Sequence, residues 1–189
     1  MTTTDSGHRD AVLSFLTEQG TASTPHIFGD LLTHLEGVES LVKAWGGSDL
    51  LALVALGHAT YGTDGFAPHI LELSDRAVLG AAIGEEAEAL VYFYASCDRS
   101  FFYPQLENAE LSLADLRFRD RFTATELPPT ATDVTQFVDL TYANEAELAA
   151  ASPDGPKGWT WLADFCRRTR RWASPMFYDG AMALWQADT

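Results

Sequence analysis

Residues 33–66 read THLEGVESLVKAWGGSDLLALVALGHATYGTDGF, and this stretch decides the fold class. Leu35, Val38, Leu41, Val42 and Trp45 recur at intervals of three and four, the period of an α-helix with one apolar face. Leu31 joins the same stripe, so the spacing predicts a helix from Ile27 to Trp45, closed by Gly46 and Gly47. Ser48 offers a side-chain oxygen to cap a second helix, Asp49 to Ala59. That segment is apolar nearly all round and belongs in the interior. The two helices are expected to form the central hairpin of the fold.

Outward from this hairpin, helical periodicity continues. Asp10–Gln19 places Val12, Phe15 and Leu16 on one stripe, and Gly20 closes it. Tyr61–Ile70 carries glycines and a proline and reads as a loop. Ser74 is placed to cap a short helix ending at Gly80 or Gly84, and Glu85–Cys97 follows as another helix. Phe101–Pro129 is less regular; within it Leu116–Glu126 alternates apolar and charged residues, the period of a short strand or hairpin. After Pro128-Pro129 a long helix is expected over Thr132–Ala151, then a turn-rich linker, Ser152–Gly158. Trp159–Trp172 and Pro175–Gln186 read as closing helices. The expected class is all-α with a short β excursion. Residues 1–189 are expected to form a single domain, with its core over about 26–150 and a helical extension over about 157–187.

Composition sets limits on function. The 189 residues hold 27 acidic against 12 basic side chains, a formal charge of −15. Such a field repels nucleic acid and anionic lipid over most of a surface. No apolar run approaches the ~18 residues a membrane helix needs. The first residues, MTTTDSGHRD, show no basic stretch followed by an apolar one, and Cys97 and Cys166 are two isolated thiols, so a reducing cytoplasm is the expected location. Arginines gather at Arg117, Arg119 and Arg121 and again at Arg167, Arg168, Arg170 and Arg171. They read either as local ion pairs or as an anion clamp.

The chemistry-bearing residues concentrate near the hairpin. His26, His34, His58 and His69 fall within 44 positions, whereas His8 lies in a polar N-terminal stretch. His58 closes the most apolar helix of the chain, and an imidazole buried there without a partner costs on the order of 1–3 kcal/mol. A metal ion is one partner; a carboxylate or a backbone carbonyl is the other. Tyr61 lies three residues after His58, one helical turn on, where a phenol could donate to a substrate. Glu88 begins a helix and is a second candidate catalytic group, although the helix dipole alone favours a carboxylate there.

Residues 33–66 resemble the core of the HD-domain superfamily, and most closely the hydrolase domain of the guanosine tetraphosphate (alarmone) enzymes. Downstream, DRAVLGAAIGEEAEALVYFYASCD (75–98) resembles that family's following segment, and FVDLTYANEAEL (137–148) resembles the late helix that supplies the last metal-binding aspartate. The resemblance implies an HD-like helical bundle and a divalent metal, iron or manganese ahead of zinc. It implies His34, His58 and Asp139 as ligands, with Asn144 a less simple choice for the last and His26 or His69 as an extra nitrogen. Three departures stand beside it. His58 is followed by Ala59 where the family has aspartate, Tyr61-Gly62 occupies the place of its acidic pair, and the step from Asp139 to Asn144 is one residue long.

The leading expectation is a metal-dependent enzyme, a hydrolase or a non-haem iron oxygenase, acting on a small polar or anionic molecule. The alternative is a catalytically silent ligand-binding or regulatory module on the same scaffold. A purely structural partner of another protein is a third class, with which the acidic surface is compatible.

Overall fold

The computed structural model describes residues 5–185. Nine α-helices and two short two-stranded sheets are present among them, so the fold is all-α with a small β excursion. The chain divides into two compact units, Met1–Ala95 and Ser96–Thr189.

The first unit opens with α1 (Asp5–Glu18), which begins five residues before the expected Asp10 and places His8 on an exposed helical turn. A two-stranded hairpin follows, β1 (Pro25–His26) against β2 (Gly29–Asp30), with His26 opposite Gly29. Residues 27–30 are therefore not helical. Helix α2 (Leu31–Ala44) starts only at Leu31 because Asp30 caps it, accepting from Thr33 N at 2.9 Å and Thr33 Oγ1 at 2.8 Å. Its buried stripe comprises Leu31, His34, Leu35, Val38, Glu39 and Val42. Gly46, at φ +74, ends it: Gly46 N donates to Lys43 O and Gly47 N to Val42 O.

Helix α3 (Asp49–Gly57) is capped by Ser48 as expected, Oγ accepting from Leu51 N at 3.1 Å. Every residue from Leu51 to Gly57 is buried, and α3 packs against α2. Glu39, buried on α2, receives Arg9 of α1 through two bonds (2.7 and 2.8 Å) and Lys43 from one turn on. Helix α4 (Arg76–Ile83) stops at Gly84, and α5 (Glu85–Ser96) follows it. Ser74 does not cap α4; it lies in a short 3-10 turn, Leu73–Asp75, ahead of the helix.

The second unit begins with α6 (Arg99–Glu107), capped by Asp98 and continuous through Pro104. This helix lies where irregular chain was expected. Burial of Phe102 and Leu106 holds it in spite of the proline. A small sheet pairs β3 (Phe118–Arg119) with β4 (Glu126–Leu127), within the stretch whose alternation suggested a strand. Helix α7 (Ala131–Ala151) carries a capping box, Thr130 with Asp133, and α8 (Thr160–Thr169) and α9 (Pro175–Ala183) complete the unit. Gln186 lies outside the described residues. No helix among the described residues is long and apolar enough to cross a membrane.

Candidate functional site

The first unit gathers three of the expected histidines. His34 projects from the second turn of α2 and His58 follows the last residue of α3, so the α2–α3 pairing sets the rings 5.3 Å apart, edge to face at 73°. His26 reaches them from β1 and lies flat on His34, centroids 4.1 Å apart and planes 19° from parallel. Phe66, from the loop after α3, meets His26 edge-on at 4.7 Å, and Tyr94 of α5 meets His58 at 5.7 Å. His34 and His58 are 4% and 2% exposed, while His26 is half-buried. The result is a ladder of five rings, Phe66–His26–His34–His58–Tyr94.

His58 lies within 2.7 Å of the Ala55 carbonyl through Nδ1. A carbonyl only accepts, so the neutral ring carries its proton on Nδ1. Backbone alone thus satisfies one nitrogen of this buried imidazole.

Tyr61 and Glu88 also come together, in a separate polar knot. The Tyr61 hydroxyl donates to Glu88 Oε1 at 2.8 Å, while Arg76 donates from Nε to Oε1 at 2.6 Å and from Nη2 to Oε2 at 2.8 Å. The same guanidinium stacks on Tyr92, 3.7 Å from its ring centre. Burial and the adjoining carboxylate push the Tyr61 phenol well above its ordinary range, so it remains a donor. Both oxygens of Glu88 are engaged. Beside the knot, the Thr60 hydroxyl is buried with no hydrogen-bonding partner among the described residues.

The remaining expected residues make contacts of their own. His69 is exposed and pairs with Glu72, Nε2 to Oε1 at 3.0 Å, which raises its pKa. Asp139 belongs to the second unit, where its buried carboxylate accepts from Ser174 N, at the start of α9, at 2.8 Å. Burial raises its pKa to about 6, and the Ser174 hydrogen bond opposes the rise. Asn144, also buried on α7, donates to Glu145 at 3.1 Å.

The arginine cluster at 167–171 resolves into local contacts. Arg167 pairs with Asp164, Arg168 with Glu107, Arg171 donates to Ala109 O, and Arg170 covers Tyr178. Burial lifts the Cys166 thiol to about 12 and leaves it unreactive.

Among the described residues no group of three or more His, Cys, Asp or Glu side chains is arranged to hold a metal ion. His26 stacks face to face on His34 while His58 meets His34 edge-on, and no carboxylate joins them in a metal-holding group among the described residues. The donor set does not fit the metal that the resemblance implies.

Sequence comparison reaches the same part of the chain. Residues 15–99 match a family model described as a domain of unknown function (DUF6817). The matched span contains all four clustered or nearby histidines, Tyr61 and Glu88, and leaves out Asp139. None of the curated proteins and none of the solved structures is significantly similar to the chain.

Arg76, Phe66 and Tyr94 complete the two clusters and were not singled out by sequence reasoning. Glu88, Val91 and Tyr94 recur every three residues along α5 and meet Tyr61, Gly57 and His58 in turn, the first by its hydrogen bond and the second through Val91 Cγ2. That spacing was the available signal.

Proposed function

We propose that this chain is a ligand-binding or regulatory module on an HD-like helical scaffold, without hydrolase or oxygenase chemistry, and that the imidazole ladder of the first unit is its binding centre for a small molecule. The observation that carries this reading is the commitment of both expected catalytic groups, Tyr61 and Glu88, to each other and to Arg76. Glu88 is closed by Arg76 and Tyr61, and Tyr61 is held protonated by that same carboxylate. A hydrolase of the expected kind needs a carboxylate both to hold its ion and to take a proton from the bound water. The stacked rings instead suit recognition, because a flat ring is favoured in offset-stacked or edge-to-face contact with another.

The metal-dependent reading retains one specific support, the ring contacts among His26, His34 and His58. Melting the wild type and His58→Ala with iron(II), manganese(II) and zinc separates the two, since whatever binds only the folded state must stabilise it. The binding-module reading expects no metal-dependent rise in Tm. It also expects shifts in the ring resonances of His26, His34 and His58 upon addition of a hit from a panel of small polar metabolites. A rise of several degrees with one metal, lost in His58→Ala, would overturn it in favour of the enzyme.

A further inference from the structure

One of the buried imidazoles of the first unit is covered by a very short element. His34 and His58 are buried, yet the ring lying flat on His34 comes from a two-residue strand. The strap that carries it runs from Gly20, at φ +79, through a 3-10 turn at Thr21–Ser23 to Asp30, the cap of α2. It is held by the pairings Pro25 with Asp30 and His26 with Gly29, and by Leu31 N donating to Thr24 O at 2.9 Å. Its tip points outward, with Ile27 52% and Phe28 39% exposed.

What His26 offers His34 is a flat ring at 4.1 Å and 19°, with Phe66 closing its side edge-on. A free ring of the same size could present the same surfaces. The formal charge of −15 on the chain as a whole disfavours an anionic ligand.

We propose that His26 is a built-in occupant of a ring-binding seat on His34, that the 25–30 hairpin is the strap that carries it, and that the ligand is a flat, uncharged or cationic heteroaromatic compound that displaces it. The proposal rests on the ladder being the binding centre and adds the chemistry of what binds. Because the internal ring is tethered, it competes at high effective concentration. A ligand therefore sees its affinity reduced by the fraction of molecules in which the strap is open.

The test uses the full chain and benzimidazole as probe, at one fixed pH. Wild type, His26→Ala and His26→Phe are compared by melting temperature and by the NMR signals of the His34 ring. In His26→Ala the probe is expected to raise Tm saturably and to shift the His34 signals, binding at least about tenfold tighter than to wild type. His26→Phe, which keeps a ring in the seat, is expected to behave as wild type. Cyclohexanol, similar in size but not flat, is expected to do nothing. An unresponsive His26→Ala, equal binding by wild type, or an equal response to cyclohexanol would overturn the proposal. If His26→Ala does not fold, amide exchange in wild type decides: saturating probe should speed exchange of the Leu31 amide, and unchanged exchange overturns the strap. A metabolite panel without a hit would count against the binding-module reading while leaving the probe result intact.

Discussion

Single residues carry consequences that can be weighed one at a time. Gly62 sits at φ +67 with the carbonyl oxygens of Phe66, Ala67 and Pro68 only 3.1–3.2 Å from where a Cβ would stand. Gly62→Ala therefore meets both left-handed strain and backbone that cannot withdraw, and should cost about 2–3 kcal/mol in urea unfolding. Gly20, at φ +79 with nothing within 4 Å of its missing Cβ, is the control: Gly20→Ala should cost about 1 kcal/mol. Asp139 sets a pH dependence. Its folded pKa is raised by burial to about 6 from the ordinary 3.8, so its ionisation opposes folding. Stability from this group is complete below its unfolded pKa, declines as pH rises toward about 6, and is flat above. Asp139→Asn keeps an acceptor for Ser174 N and removes the charge. Unfolding free energies measured from pH 4 to 8 should coincide for the two proteins at the acid end and favour the variant by up to about 3 kcal/mol at pH 8. At this scale the sequence was partly legible. An imidazole ending an all-apolar helix had to be inside, and His58 is. That its Nδ1 would be satisfied by the carbonyl three residues back depends on the final turn of the backbone, which no residue type announces.

At the scale of elements, the Arg76–Glu88–Tyr61 knot ties the start of α4 and the loop after α3 to α5. Glu88→Gln leaves the guanidinium with a neutral partner. Because the Arg76 side chain is 37% exposed, solvent softens the loss, and the expected cost is about 1–3 kcal/mol in urea unfolding. Tyr61→Phe should cost about 1 kcal/mol, and the double variant less than the sum, since both act on one carboxylate. Helices with strong local signals were read well: Ser48 caps α3, and α7 begins one residue before its expected start. The start of α2 and the existence of α6 differ from expectation for identifiable reasons. Ile27 and Phe28 continue the helical stripe of α2, but Asp30 bonds to Thr33 and starts the helix behind them. Phe101–Pro129 was expected to be less regular, yet α6 runs through Pro104, because tertiary burial of Phe102 and Leu106 outweighs the one backbone bond the proline removes. The site was legible as a set of imidazoles on adjoining helices. Its stacked arrangement was not, because that depends on a hairpin of two-residue strands too short to leave a period.

For the whole molecule, charge is the largest single term that composition supplies. A formal −15 on 189 residues means that folding compresses like charges, and salt should relieve this. Raising sodium chloride from about 0.05 to about 0.5 M is expected to lift Tm by about 2–4 °C, equivalent to about 1 kcal/mol. A Tm that stays flat or falls would mean that ion pairs such as Arg9–Glu39 and Arg168–Glu107 outweigh the net repulsion. The boundary between the two units falls at residues 95–96, and the family match ends at 99, so sequence similarity and the described structure both separate the first part of the chain. The α2–α3 pair has a bearing on how this chain reaches its fold at all. Only residues 45–48 separate the two helices, so closing the loop between them loses little chain entropy compared with bringing distant segments together. Contacts so local are the natural nucleus of a folding reaction. Trimming Val54, buried on α3, should then slow folding more than it speeds unfolding. The imidazole pair of His34 and His58 would be assembled early, together with this nucleus.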